Sequence, residues 1–196
     1  LKDGESIAVT YLSKALNQLS NQVTLLTMNT KKHYFNISDL PPEYDQYQAI
    51  HFTDVDNEVK PFDAFLNLFS DDSYHISRFI STAFEQKLIE ILKAEEFDIV
   101  QIETVHLAPY IPVIRRYSEA KIAMRAHNVE FEIWQRIADN TRFFPKKWYI
   151  NHLTKKLRKY ETEQLQNYDM MVAITRRDLD FFKKLGYRNK GVVTPI

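Results

Sequence analysis

Residues 120–134 read A-K-I-A-M-R-A-H-N-V-E-F-E-I-W. Lys121 to Ala126 holds a short apolar run bounded by charge, of a length that suits a buried strand. From Val129 onward the apolar residues Val129, Ile133 and Ile137 recur at helical spacing. A strand therefore ends and a helix begins at His127-Asn128-Val129-Glu130, with an imidazole, an amide and a carboxylate in one turn. In open α/β sheets, ligands bind in the crevice outside the carboxyl ends of the strands. A helix N-terminus in the same turn adds N–H groups that favour an anionic ligand. The same residues also have a purely structural reading: Asn128 caps the helix, Glu130 complements its dipole, and His127 is polar surface.

Outward from this turn, strand and helix patterns alternate. On the N-terminal side, Leu1–Glu5 reads as a loop, with Ser6 as the cap of a helix striped by Ala8, Leu12, Ala15, Leu16 and Leu19. Strands are predicted at Val23–Met28 and Tyr47–Thr53, separated by a polar stretch over residues 31–46 that contains Pro41-Pro42. Ile76, Phe79, Ile80, Ala83, Phe84, Leu88, Ile91 and Leu92 predict one continuous helical face, and Asp98–Glu103 a further strand. On the C-terminal side, a long charged helix is expected from about Lys146 to Asn167, then a buried strand over Asp169–Ile174. Thr175 and Asp178 have the form of a capping box, and Gly186 suits the position just past a helix end. Gly191–Thr194 begins a last strand. Alternation of this kind predicts one α/β domain over residues 1–196, a Rossmann-like, doubly wound and mainly parallel sheet with helices on both faces. Thr27, Thr53, Glu103, Ala126-His127 and Thr175 would then meet at one crevice.

Composition narrows the function. Lys plus Arg and Asp plus Glu number 26 each, so no global charge draws the chain to nucleic acid or to acidic lipid. The absence of cysteine excludes a disulfide scaffold, a thiolate metal site and a cysteine nucleophile. Only Gly4, Gly186 and Gly191 occur, which excludes an internal G-x-G-x-x-G or Walker-type phosphate loop. Asp54-Val55-Asp56 and Asp178-Leu179-Asp180 are D-x-D pairs, but thirteen aspartates produce about one such pair by chance, so no metal site is assigned. Asn36-Ile37-Ser38 has the form of a glycosylation sequon. His106, close to Glu103, can share the crevice with His127 or be an ordinary loop histidine. Lys146, Lys147, Lys155 and Lys156, interleaved with Trp148, Tyr149, Ile150, Leu153 and Leu157, form a basic amphipathic helix. That helix suits either peripheral contact with an anionic membrane or a core-covering role with solvated lysines.

Several of these segments together resemble one family. Asp3-Gly4-Glu5-Ser6 with the helix behind it is similar to a G-G-x-E loop and first helix. Phe97–Glu103 is similar to a "pDvvh" strand, and Arg125–Glu130 to a strand-end histidine segment. Tyr160–Glu163 through Asp169–Thr175 is similar to an "E…aD.vi.vS" block, and Val193–Ile196 to the start of a "vipNG" linker. In order and spacing they resemble the N-terminal half of the family 4 (group 1) retaining glycosyltransferases of GT-B architecture. The resemblance implies an acceptor-binding domain in bacterial carbohydrate biosynthesis. Such an enzyme transfers a sugar, with retention, from a nucleotide diphosphate-sugar, with no metal and no further cofactor. It implies a first strand preceding Leu1, and a donor-binding second domain with a Glu-x7-Glu motif that this chain lacks. This chain alone is then expected to be inactive. His127 would contact the transferred sugar as the catalytic residue. Asp3, Gly4 and Glu5 would approach the donor phosphates, while Glu103, Thr104, Asn128, Glu130 and Thr175 would line the substrate crevice. The expected partners are the donor and a sugar or lipid-linked acceptor, in the cytoplasm; peripheral contact of the lysine helix with the inner membrane face stays open beside its core-covering role. A non-catalytic α/β binding module and a GT-B-like sugar-nucleotide epimerase are the alternatives.

Overall fold

The computed structural model describes residues 4–31, 34 and 44–195, with side chains from residue 7 onward. Asp3, the Asn36 sequon and Pro41-Pro42 lie outside the described residues. Helix α1 spans Gly4–Gln18, so the helix starts before Ser6 and not at it. Just past its end, Ser20 with a φ of 62° reverses the chain. Strands β1 (Thr24–Asn29) and β2 (Ala49–Asp54) pair in parallel, Thr24 opposite Ala49 and Asn29 opposite Asp54. Strands β3 (Ile99–Ile102), β4 (Lys121–Ala126), β5 (Met170–Ala173) and β6 (Lys190–Val193) form a second sheet, in that order and all parallel. The described residues thus make an α/β fold with parallel strands only, Rossmann-like in character. Instead of the single sheet expected from the sequence, the strands divide into a pair and a quartet that share no ladder.

The continuous helix expected over Ile76–Leu92 is broken. Helix α2 covers Pro61–Leu66, α3 only Tyr74–Ser77, and α4 Thr82–Ala94. Two local features make the break. The Ser81 hydroxyl accepts the Phe84 amide and caps α4. The Tyr110 hydroxyl, almost fully buried, donates to the Phe79 carbonyl at 2.7 Å and accepts the Ser81 amide at 2.8 Å. It thereby satisfies two backbone groups that the interrupted helix leaves free. Ile80, placed on the apolar face by the sequence pattern, is exposed as a result.

Helices α5 (Ile111–Tyr117), α6 (Glu130–Asn140), α7 (Phe144–Gln164) and α8 (Arg176–Lys184) connect the quartet. Neighbouring strands in chain order, joined by right-handed crossovers, keep their connecting helices on one face of the sheet. The main core fits that geometry. Ile102, Ile122, Met124, Ala126, Met171 and Ala173 lie on one face by the two-residue alternation. They cluster with Leu88 and Leu92 of α4, Ile114 of α5, Leu157 of α7, and Leu179 and Phe182 of α8. Partly buried Leu26 and Met28 of β1 pack against the same cluster. On the opposite face Ala123, Arg125 and Val172 are also buried, while Ile99, Gln101, Lys121 and Lys190 at its margins are exposed.

The α8 ends follow the sequence closely. The Thr175 hydroxyl accepts the Asp178 amide at 3.1 Å. At the other end Gly186, with φ of 112°, donates its N–H to the Lys183 carbonyl, and Tyr187 donates to Phe182. This is the paired pattern that closes a helix on a glycine. Among the described residues no helix is long and apolar enough to cross a membrane.

Candidate functional site

The β3–β4 register places Ile102 opposite Met124, so one step further Glu103 comes opposite Arg125. The alternation then puts Arg125 and His127 on the same face of β4. All three side chains meet there. His127 Nε2 lies 2.8 Å from Glu103 Oε2, and Arg125 Nη1 lies 3.5 Å from the same oxygen. The amide of Gln101 donates to Glu103 Oε1. A carboxylate beside Nε2 can accept its proton and orients the ring, turning Nδ1 away from Glu103. Arg125 is 2% exposed. Its Nη1 is within ion-pair range of Glu103 but not aligned as a hydrogen bond, and its Nε has no partner. The buried cation therefore faces Glu103 mainly as a charge, beside the oxygen that bonds His127. His127 and Glu103 keep side-chain exposures of 12% and 21%, so the pair reaches the solvent edge of the sheet. A carboxylate-backed imidazole in this state can accept a proton from a hydroxyl or hold one by a directed hydrogen bond.

The turn after His127 is built differently from the sequence expectation. Asn128 is exposed and does not cap α6; Val129 occupies the N-cap position and offers no side-chain bond. The cap comes from α7. Glu161, 3% exposed, accepts the Glu130 amide through Oε1 and the Phe131 amide through Oε2, each at 3.1 Å. Two amides that the turn would otherwise offer to an anionic ligand are thus already occupied. Burial pushes the Glu161 carboxyl up to about 7, against the pull of the two amide donors, and nearby Glu130 and Glu132 push the same way. Glu161 continues the buried stripe Ile150, Leu153, Leu157 of α7. That spacing is the sequence signal for a carboxylate turned inward.

The other expected site residues have separate tasks. Thr104 caps the short 3-10 helix Val105–Tyr110, and its Oγ1 lies 2.7 Å from His106 Nδ1. His106 lies against Phe79, the rings tilted by 46° with centroids 4.6 Å apart, and burial lowers its imidazole to about 4. It is a neutral interior histidine and not a second group in the crevice. Thr175 uses its hydroxyl twice on Asp178, accepting the amide and donating to Oδ2 at 2.6 Å. Arg177, next in α8, bonds Glu132 of α6 at 2.8 Å and Asp178 at 2.8 Å. The turn at Thr175 is thereby tied to the helix behind His127. Glu130 is half-buried and enters the site through its amide. Gly4 and Glu5 open α1. Glu103 and His127 are therefore brought together and Arg125 joins them, while Asn128 is exposed and Thr175 caps α8.

A cavity of about 450 Å³ lies elsewhere, among Asp56, Lys60, Asn67, Tyr74 and Arg78. None of Glu103, Arg125 and His127 lines it. Its D-x-D residue Asp56 is paired with Lys60 at 3.0 Å, and among the described residues no three His, Asp or Glu side chains stand together to hold a metal ion. The chemistry is better placed at the strand ends, where a carboxylate–imidazole pair stands beside a buried charge, than in a cavity whose Asp56 and Glu58 are paired with lysines. Comparison with family models, with curated proteins and with solved structures finds no match for this chain.

Proposed function

We propose that this chain is the acceptor-binding, doubly wound half of a GT-B retaining glycosyltransferase, which transfers a sugar from a nucleotide diphosphate-sugar to an acceptor. One observation carries the reading. Glu103 and His127, with Arg125 beside them, form an oriented carboxylate–imidazole pair at the carboxyl ends of adjacent parallel strands. That is where an α/β sheet binds its ligand. In this reading His127 directs a hydrogen bond at the sugar being transferred, and Glu103 orients its ring. Arg125 stands beside Glu103 as a buried countercharge, and Glu161 sets the turn that carries His127. The donor phosphates are held by Asp3, Gly4 and Glu5 together with a second domain. The division of the strands into a pair and a quartet also supports this reading, because a central strand preceding Leu1 would join them.

The division of labour is testable by calorimetry. Titrated with UDP- and GDP-sugars, this chain alone is expected to bind weakly or not at all. Sugar transfer is expected only from a polypeptide that also carries the donor-binding half. Micromolar binding of a nucleotide-sugar by this chain alone would put the donor site here and overturn the assignment.

A further inference from the structure

The apolar residues of the basic helix do not all face inward. Ile150, Leu153 and Leu157 are buried in α7, as a core-covering helix requires. The three aromatics at its start are not: Phe143 is 67% exposed, Phe144 75% and Trp148 55%. They sit at the tip of the α6–α7 hairpin, within the sequence R-F-F-P-K-K-W of residues 142–148. From Asn140 to Tyr160 the chain carries seven cations and no carboxylate. Arg142, Lys146, Lys155 and Lys159 are exposed. Lys156, by contrast, is engaged with the Asn67 carbonyl and Arg158 lies over the Phe131 ring.

Exposed aromatics interleaved with cations match an anionic lipid surface: the rings enter the headgroup boundary while the cations meet the phosphates. We infer that the α6–α7 hairpin tip, through Phe143, Phe144 and Trp148 with Arg142, Lys146 and Lys147, docks the protein on an anionic membrane surface. Charge decides for lipid here. The neighbouring α2 also exposes Phe62 and Phe65, and is joined to α7 by the Tyr149 hydroxyl on the Ala64 carbonyl. It carries Asp63, so the centre of the contact is the carboxylate-free stretch from Asn140 to Tyr160, with the exposed Asp139 at its margin. Helix α6 has 11 residues, which places the tip roughly 16 Å from the His127 turn at about 1.5 Å per residue. A membrane-borne substrate could then lie within reach of the crevice. The contact itself does not depend on the chemistry assigned to His127.

Co-sedimentation with vesicles tests it directly. The chain is expected to bind phosphatidylcholine–phosphatidylglycerol vesicles and to bind pure phosphatidylcholine far less. Replacing Arg142, Lys146 and Lys147 by Gln should weaken binding on the order of 100-fold at low salt, each cation contributing about fivefold. Phe143→Ser, Phe144→Ser and Trp148→Ser together should weaken it about tenfold or more, and in high salt as well, since the loss is of apolar contact. Because these side chains are exposed, circular dichroism and melting temperature should stay at wild-type values. Lack of binding to anionic vesicles by the folded chain overturns the inference, as does binding unchanged in both sets of variants. A dimer in sedimentation that disappears with the aromatic variants, without vesicle binding, would make the tip an interface between copies instead.

Discussion

Glu161 offers the sharpest test of how the site is assembled. Its carboxylate is buried between α6 and α7 and accepts the Glu130 and Phe131 amides. Burial raises the folded-state value from 4.5 to about 7. Between those pH values the folded protein holds a proton that the unfolded chain has released. Stability from this group therefore falls as pH rises through that window, by about 1.4 kcal/mol per unit of displacement, or roughly 3 kcal/mol in all. Glu161→Gln removes that dependence. At pH 5 the wild-type group is mostly protonated and Gln is its near-isostere, so the substitution costs about 1 kcal/mol. At pH 8 the wild type contains a buried carboxylate and the variant does not. The difference between them should shift by roughly 2–3 kcal/mol toward the variant over pH 5 to 8. Urea unfolding of both proteins at the two pH values measures it, and the titration of every other group cancels in the difference. The Glu130 and Phe131 amide resonances should move with the same transition in the wild type only. An equal difference at pH 5 and pH 8 would refute the argument that burial outweighs the amide donors.

Other expectations follow from single contacts. Asp169 accepts the Ile122 amide and pairs with Arg115, both at 2.7 Å, and these partners hold its carboxyl below the usual value of 3.8. Asp169→Ala should cost about 1–3 kcal/mol near pH 7 by chemical denaturation. The carboxylate's contribution is present above pH 3.8 and lost as pH falls through the lowered folded value, so the cost should shrink in acid. Thr175→Val removes the α8 cap and should cost about 1 kcal/mol, while Thr175→Ser should be nearly neutral. Asn128→Ala should change stability by no more than about 0.5 kcal/mol; a loss near 1 kcal/mol would restore Asn128 as the cap.

Local patterns were legible where neighbours in sequence decide the outcome. The Lys121–Ala126 strand, the Thr175–Asp178 cap and the Gly186 helix end each depend on residues within a few positions, and each is found. The pairing of Glu103 with His127 was legible as two strand ends at one edge. Arg125 was quoted in the same motif yet not assigned a task. A lone cation in an apolar strand looks like a boundary until the register shows which carboxylate stands opposite. Glu161 lies on the apolar stripe of α7, but the amides it serves are some thirty residues away, and no local pattern names them. The helix break at Ile80 has the same origin: Tyr110 acts through tertiary contacts, which override propensity.

His127 carries the central claim, and its replacement in a polypeptide containing both halves of the enzyme is the most direct measurement. A directed hydrogen bond to the reacting sugar contributes in the transition state more than in donor binding. His127→Ala should therefore lower kcat by about 10²–10³ while the donor KM moves only a few-fold. Turnover within about twofold of wild type, on folded protein, would contradict the account and leave His127 as the polar end of a strand.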